Sequence, residues 1–193
     1  MSRICVFCGS KVGLDPRYRQ AAAELGRWLA EKGYGLVFGG GSVGLMGVIA
    51  DAVLEVDGEV IGVIPESLAT KELLHPRVPD MRCVRNMHDR KALMAELSDG
   101  FIALPGGLGT FEELFEVITW AQLGFHEKNI GLLNVGGYFD PLVRLIDHAI
   151  LEGFVNPQNR ELILVEECPE KLLQRMAEHK PPVVPKWLGP EEI

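Results

Sequence analysis

The chain has 193 residues, 47% of them hydrophobic and 24% charged, and its 27 Asp and Glu outnumber its 19 Lys and Arg to give a net charge of −8. This composition is typical of a globular domain and excludes disordered, collagen-like and coiled-coil chains, while the length suits one domain of roughly 100–200 residues. The acidic balance argues against a nucleic-acid partner, and without an apolar run of about 18 residues or a signal peptide we expect a cytoplasmic protein that contacts no membrane.

Short apolar runs alternate with longer amphipathic stretches along the whole chain. Such alternation predicts strands and helices in turn, and runs that are apolar throughout indicate a parallel sheet covered on both faces. Strands are predicted at residues 3–8, 36–38, 60–64, 81–84, 100–104, 130–133 and 162–165, and helices at 16–32, 45–56, 87–97, 110–123, 138–152 and 170–179. We therefore expect an α/β fold, a doubly wound, Rossmann-like three-layer sandwich with a mainly parallel sheet.

These elements predict one nucleotide-binding, Rossmann-like domain over residues 1–180. Residues 66–82 combine prolines with many charges, so an irregular excursion is expected there. Residues 181–193 form a proline-rich tail that is not expected to fold alone. In a doubly wound sheet, ligands bind beyond the carboxyl ends of the strands, so the site is expected in the loops that follow them.

Two cysteines, Cys5 and Cys8, lie three residues apart in the first predicted strand. A zinc site would need a second pair of ligands, and neither Cys83 nor Cys168 has a close Cys or His partner. Since successive strand residues point to opposite faces, Cys5 and Cys8 are expected to be buried thiols on the two faces of the sheet. The sequence therefore predicts no metal site.

A first glycine-rich loop, residues 39–44, follows the second predicted strand and matches GxGxxG. A dinucleotide site would normally follow the first strand and would need an acidic residue at the end of the next strand, whereas Glu59 stands at the start of one. Two interpretations remain. The loop is a tight turn with close helix packing, or it lets a helix N-terminus approach a phosphate or ribose, with Gly40 and Gly41 as substrate contacts.

A second loop, residues 104–113, joins a buried strand to a helix and holds Gly106, Gly107 and Gly109. The glycines permit positive φ and expose successive amides, and the Thr110 hydroxyl adds a donor, so the loop predicts an anion site at a helix N-terminus. No Lys-Thr or Lys-Ser pair follows the glycines as in a triphosphate-binding loop, so a monophosphate suits the loop better. The remaining substrate contacts predicted here are Leu108, Phe111 and Glu112.

Glu113 has two interpretations. Thr110 and Glu113 have the spacing of a capping box, in which the carboxylate bonds back to the helix start. Against that, Glu112, Glu113 and Glu116 would repel an anion at the loop unless one carboxylate has another task. A carboxylate about 5–10 Å from a bound phosphate could reach the ribose, as catalysis at a sugar carbon requires.

The helix predicted at residues 87–97 offers a counter-charge. At about 100° per residue, Met87, Arg90, Met94 and Leu97 share one face, so Arg90 stands on the stripe that faces inward. A buried guanidinium costs several kcal/mol unless an anion pairs with it. Arg90 could instead extend to solvent or pair with a structural carboxylate, and Lys91 stands at the edge of the same stripe.

Three segments together resemble a known family: residues 105–113 fit PGGxGTxxE, residues 39–47 read GGGSVGLMG and residues 87–91 read MHDRK. They are similar to the "lonely guy" cytokinin-activating phosphoribohydrolases, long labelled lysine decarboxylases, and the resemblance covers residues 3–180. The decarboxylase label fits poorly, because no lysine of this chain has the acidic partner setting that pyridoxal phosphate chemistry needs.

The resemblance implies hydrolysis of the N-glycosidic bond of AMP, or of its N6-substituted forms, to free base and ribose 5-phosphate without a cofactor. It implies that Arg90 and Glu113 are the catalytic pair and that residues 107–110 hold the phosphate of this small-molecule nucleoside monophosphate. Further contacts implied for the substrate are Glu72, Met87, Lys91 and Thr119. It also implies a homodimer. One alternative is a nucleotide carrier on the same fold that binds the nucleotide and leaves it intact, and another is a dehydrogenase, which would bind NAD.

Overall fold

The computed structural model describes residues 2–69 and 73–182. Within these ranges the strands are β1 (Arg3–Phe7), β2 (Gly35–Phe38), β3 (Val60–Pro65), β4 (Asp80–Val84), β5 (Gly100–Ala103), β6 (Asn129–Leu133) and β7 (Ile163–Glu166). The α helices are α1 (Pro16–Glu31), α2 (Gly44–Leu54), α3 (Met87–Glu96), α4 (Leu108–Gln122), α5 (Asp140–Leu151) and α6 (Pro169–Glu178). Each predicted strand and helix is present, with ends that differ by at most two residues.

The seven strands form one sheet in the order β4-β3-β2-β1-β5-β6-β7, and every pair of neighbours is parallel. The strand order reverses between β1 and β5, where the chain leaves one half of the sheet and starts the other. The predicted doubly wound α/β fold is therefore confirmed, with a sheet that is parallel throughout. The crevice between the ends of β1 and β5 is where such a fold binds ligands.

Two apolar clusters cover the two faces of the sheet. One contains the buried residues of α1, α2 and α6, and the other contains those of α3 and α4 with the residues of α5 packed against it. Strand residues alternate between the clusters, so Cys5 lies in one and Cys8 in the other, both buried. The prediction that these thiols lie on opposite faces is confirmed.

Local signals explain where the helices begin. The Asp15 side chain caps α1 by accepting from the Arg17 amide at 2.9 Å, and Pro16 occupies the first helical position. Helix α5 starts two residues later than predicted. The Asn134 side chain accepts from the Phe139 amide at 2.7 Å and holds the preceding loop, in which Gly136 has a φ of 60°. Gly136 precedes the predicted helix, and the later start is set at Phe139, the N-cap of α5, whose φ of −89° and ψ of 0° depart from the helix.

Within its described residues, the excursion after β3 is irregular, as predicted, apart from a short 3₁₀ turn at Glu66–Leu68. It returns along the first glycine-rich loop before β4 starts at Asp80. Glu72 and residues 183–193 of the predicted tail lie outside the described ranges. Among the described residues, no helix combines the length and apolar character needed to cross a membrane.

Candidate active site

A cavity of about 260 Å³ opens at the carboxyl edge of the sheet, beside the crevice between β1 and β5. Its walls come from the ends of β1 and β2, from α3 and from the first turns of α4. Arg90 and Glu113 both line it, so the structure brings together the cationic and the acidic side chain that the sequence singled out. The predicted position of the site at the strand ends agrees with this placement.

Arg90 crosses the cavity wall from α3 and is held by backbone carbonyls. Its Nε donates to the Val63 carbonyl at 3.1 Å, and its Nη2 donates to the Gly39 carbonyl at 3.3 Å. Its side chain is only 12% exposed. A Cβ at Gly39 would collide with this guanidinium, so the first glycine of the loop is required by the packing of Arg90. The prediction that Arg90 faces inward is confirmed.

Glu113 is buried on the facing helix, with its side chain 11% exposed and its Oε1 3.4 Å from Arg90 Nη1. Burial raises the pKa of Glu113 from 4.5 to about 7, and Arg90 opposes that increase. The capping-box interpretation of Glu113 is wrong. Helix α4 begins at Leu108 with Gly107 as its N-cap, so Thr110 is already the third helical residue.

The N-terminus of α4 is open toward the cavity. Gly107 supplies no side-chain cap, and the amides of Leu108, Gly109 and Thr110 stand in the first turn, where an α helix has no acceptor to offer them. The same residues line the cavity, and the Thr110 side chain is buried. Free amides and the positive end of the helix dipole make this turn suited to an anion.

The glycines of this loop are needed because they lack side chains and not because their backbone angles are unusual. None of Gly106, Gly107 and Gly109 has a positive φ, so the expectation based on positive φ is wrong. A Cβ at Gly106 would collide with the Thr110 side chain, whereas a Cβ at Gly107 or Gly109 would meet no atom of the described residues within 4 Å. Gly106 is therefore needed for packing, and the other two leave open space at the helix N-terminus.

A second cavity of about 400 Å³ adjoins the first, and the two share Ser10 and Gly107. Tyr138 lines this second cavity, and its hydroxyl donates a hydrogen bond to the Gly106 carbonyl. Sequence reasoning missed Tyr138, Ser10 and Gly39. Of these three, the sequence pattern could have indicated only Gly39, because it is the first residue of the first glycine-rich loop.

Gly40 and Gly41, predicted as substrate contacts, are buried behind Gly39. Gly40 has a φ of 73°, and its carbonyl accepts from the His75 amide at 3.0 Å. Gly41 pairs with Leu74 in an isolated antiparallel bridge. These contacts favour the tight-turn interpretation of the loop, which anchors the returning excursion. Substrate contact by Gly40 and Gly41 stays a prediction.

A dinucleotide site would need an acidic residue at the end of a strand, but Glu59 precedes β3. There it forms a salt bridge of 2.8 Å with Arg3. Since Arg3 starts β1, this pair stands at the opposite edge of the sheet from the cavity.

The remaining candidates divide by position. Met87, Leu108 and Glu112 line the first cavity. Phe111 packs against the apolar cluster beneath α4. The Lys91 ammonium is bound to carboxylates of α4 and does not line the cavity.

Thr119 stands about three turns farther along α4, exposed, and its hydroxyl donates to the Phe115 carbonyl at 2.7 Å. Its distance from the cavity leaves any contact with a substrate in the same chain without support.

Comparison with known proteins adds to this geometry. The profile of the family described as "Possible lysine decarboxylase" matches residues 46–176. Cytokinin riboside 5′-monophosphate phosphoribohydrolase LOG3 of Arabidopsis thaliana is 51% identical over 179 residues, which are 93% of this chain and 83% of that protein. The phosphoribohydrolase LOG of Oryza sativa subsp. japonica is also 51% identical, over 93% of this chain and 74% of that protein.

Solved structures share the fold at lower identity. The X-ray structure of TM1055 is 22% identical with a TM-score of 0.71 and covers 93% of this chain and 100% of that chain. The molybdenum cofactor carrier protein from Chlamydomonas reinhardtii is 19% identical with a TM-score of 0.69 and covers the same shares. At these identities the likeness extends to the fold alone.

Proposed function

The chain belongs to the possible lysine decarboxylase family together with the cytokinin riboside 5′-monophosphate phosphoribohydrolases, and we propose that it hydrolyses the N-glycosidic bond of AMP or its N6-substituted forms. The products are the free base and ribose 5-phosphate. One observation in the structure supports this most. The buried Glu113 and Arg90 lie 3.4 Å apart in the lining of a cavity whose rim is an open helix N-terminus.

The N-terminus of α4 holds the phosphate. The amides of Leu108, Gly109 and Thr110 donate to its oxygens, and the helix dipole favours the negative charge. The bare backbone at Gly107 and Gly109 lets the phosphate approach closely. This contact contributes binding energy that aligns the sugar carbon with the acid, so nucleosides without a phosphate react poorly.

Glu113 acts at the sugar. Cleavage at C1′ builds positive charge on the ribose, which the carboxylate stabilises while it orients or deprotonates the attacking water. The burial that raises the pKa of Glu113 to about 7 brings it near the operating pH, where a general base is most effective. Base release therefore increases as the pH rises through about 7 and Glu113 becomes ionised.

Arg90 neutralises negative charge on the substrate. Its Nε and Nη2 are fixed on the carbonyls of Val63 and Gly39, so the guanidinium is held in place before the reaction begins. Because this cation is already in place, it need not reorganise when negative charge develops on the departing purine. The same cation can instead neutralise charge on the phosphate.

The assay that tests this function uses the purified protein with AMP, N6-isopentenyl-AMP and adenosine. We expect free base and ribose 5-phosphate from the two nucleotides and much slower release from adenosine. Tight binding of the nucleotides without release would overturn the proposal and favour the carrier alternative. That alternative is less supported, because the relatives at 51% identity are named as hydrolases, whereas the carrier protein shares only the fold.

Replacement of Gly109 by Ala separates binding from stability. Gly109 lies inside α4 without a positive φ, and no atom of the described residues lies within 4 Å of a Cβ there, so Ala raises the helix stability by roughly 0.5–1 kcal/mol. The added methyl group also occupies space at the phosphate position, so we expect a higher KM for AMP together with an unchanged or higher Tm.

Steady-state kinetics and thermal unfolding of the Gly109→Ala variant check both expectations. Gly106→Ala is the matched control, because its Cβ collides with Thr110 and lowers the Tm. An unchanged KM in Gly109→Ala would place the phosphate elsewhere.

A homodimer is part of the same proposal. Leu108 and Phe115 share one face of α4 and are 85% and 40% exposed, and Thr119 continues that face. Exposed apolar side chains beside a binding cavity mark interaction surfaces. Pairing of two copies through this face brings Thr119 of one copy toward the site of the other. Thr119 then contacts the substrate bound to the other copy, which it does not reach in its own chain.

Phe115→Glu tests the dimer. We expect the wild-type protein to have twice the chain mass in light scattering and the variant to have the mass of one chain that still folds, because Phe115 is 40% exposed in the single chain. Val56→Glu, an equally exposed apolar position after α2 on the other face of the sheet, is the control and stays dimeric. A wild-type monomer would refute the proposed pairing.

A further inference from the structure

Two neighbouring helices carry an unequal set of charges beside the cavity. Helix α4 presents three carboxylates, Glu112, Glu113 and Glu116, and α3 presents two adjacent cations, Arg90 and Lys91. The pairing between them is selective. Lys91 Nζ is 2.8 Å from Glu112 Oε1 and 2.9 Å from Glu116 Oε1, whereas the carboxylate of Glu113 faces Arg90.

Lys91 is the most deeply buried member of this group, with its side chain 7% exposed, while Glu112 is exposed and Glu116 is half-buried. A buried ammonium is stable only where carboxylates or other acceptors take its hydrogen bonds. Two of its three donors are used by Glu112 and Glu116. The side chain is thus anchored beneath the rim of the cavity and does not belong to its lining.

We propose that Lys91 is a positioning residue for the reaction, which holds Glu112 and Glu116 so that Glu113 is the carboxylate of α4 left to act in the cavity. This role takes the place of the substrate contact expected for Lys91, and it rests on the proposed hydrolase function. The bridge from Lys91 to α4 also ties α3 to α4 and so fixes the separation of Arg90 and Glu113.

The charged groups around Glu113 determine whether a substitution near it raises or lowers its pKa. Arg90 and Lys91 face it from α3, and Glu112 and Glu116 flank it on α4. The buried thiols of Cys5, in β1, and Cys8, in the following loop, are close enough for the Glu113 charge to act on them. Burial raises the pKa of both thiols, so they are neutral. Lys91 lowers the pKa of Glu113, and Glu112 and Glu116 raise it.

Opposite variants therefore test the proposal. In Lys91→Met the acidic limb of the pH profile of kcat/KM moves to higher pH, and in Glu116→Gln it moves to lower pH, each by on the order of one unit. At high pH, where Glu113 is ionised in every variant, Lys91→Met keeps a KM close to that of the wild type. Lys91→Arg restores the wild-type profile, and Arg85→Met, at an exposed position two residues before α3, leaves it unchanged.

Carbon-13 NMR of the Glu113 carboxyl, assigned with Glu113→Gln, gives the same shifts without any turnover. This readout separates the proposal from the proposed function, because Glu113 titrates whether or not nucleotides are cleaved. If Lys91→Met does not fold, Glu112→Gln and Glu116→Gln carry the test, since both are expected to lower the pH at which Glu113 titrates. The proposal would be overturned if the Glu113 titration shifted in the same direction in Lys91→Met and Glu116→Gln, or did not shift. A higher KM of Lys91→Met at every pH would also overturn it.

Discussion

Replacement of Glu113 by Gln lowers the rate of base release from AMP by roughly 10²–10⁴-fold, the range expected when a general acid or base is removed. The amide keeps the shape of the side chain in its buried position, but it neither ionises nor accepts a proton from water. Single-turnover kinetics with AMP measure the loss. Binding of AMP persists, because the amides at the start of α4 are untouched.

The same substitution changes stability in a pH-dependent way. Burial raises the pKa of Glu113 from 4.5 in the unfolded chain to about 7 in the fold, so the wild-type protein loses stability as the pH rises between these values. The loss is complete above about pH 7 and is on the order of 3 kcal/mol. Glu113→Gln avoids it, so we expect the variant to have the higher Tm at pH 8 and a similar Tm near pH 4.5.

Glu178→Gln is the matched control for both measurements. Its carboxylate is exposed on α6, which packs on the other face of the sheet from α4, and it accepts from Gln174 Nε2 at 3.1 Å, so its replacement leaves turnover unchanged and has little effect on the Tm. A Glu113→Gln variant with wild-type turnover would reduce Glu113 to a structural acid and would refute the mechanism.

The sequence predicts the framework well, because local signals mark the ends of its elements. Asp15 with Pro16 starts α1, Gly33 with a φ of 76° follows its end, and apolar runs mark each strand. The parallel order follows from the regular alternation of strands and helices. The same signals place both glycine-rich loops at the carboxyl edge of the sheet, which is where the cavity lies.

A local pattern misleads at the start of α4. Thr110 and Glu113 match a capping box, yet the Gly107 carbonyl already accepts from the Phe111 amide at 3.1 Å, so the helix begins before Thr110. A capping box would satisfy the amides of the first turn. The open N-terminus of α4 leaves these amides available for a ligand. A binding site of that kind departs from the rule that a capping side chain satisfies the first amides of a stable helix.

Contacts between distant segments cannot be predicted from spacing. Helical periodicity places Arg90 on the inward stripe and Lys91 at its edge, but Lys91 is the more buried of the two. Its burial depends on carboxylates 21 and 25 residues away. The Tyr138 bond to Gly106 spans 32 residues and has no local signature either. Such pairings require the packed tertiary structure.

Arg90→Lys keeps the positive charge and still lowers the turnover of AMP by roughly 10²–10³-fold, comparable with the loss of one preorganised donor at a reacting centre. Three different nitrogens of the guanidinium face Val63, Gly39 and Glu113, at 3.1, 3.3 and 3.4 Å. A single ammonium on a flexible stem cannot reproduce that planar arrangement. Steady-state kinetics of the variant measure the change.

The variant also moves the pH profile. Arg90 lowers the pKa of Glu113, so weakening this contact raises that pKa further above its ordinary range and shifts the acidic limb of the rate profile to higher pH. Arg85→Lys, two residues before the same helix, is the control, because Arg85 is exposed and among the described residues pairs only with Asp89 at the surface. It retains the turnover and the pH profile of the wild type. Turnover in Arg90→Lys within a few-fold of the wild type would show that charge alone suffices at this position and that the fixed guanidinium geometry is not part of the mechanism.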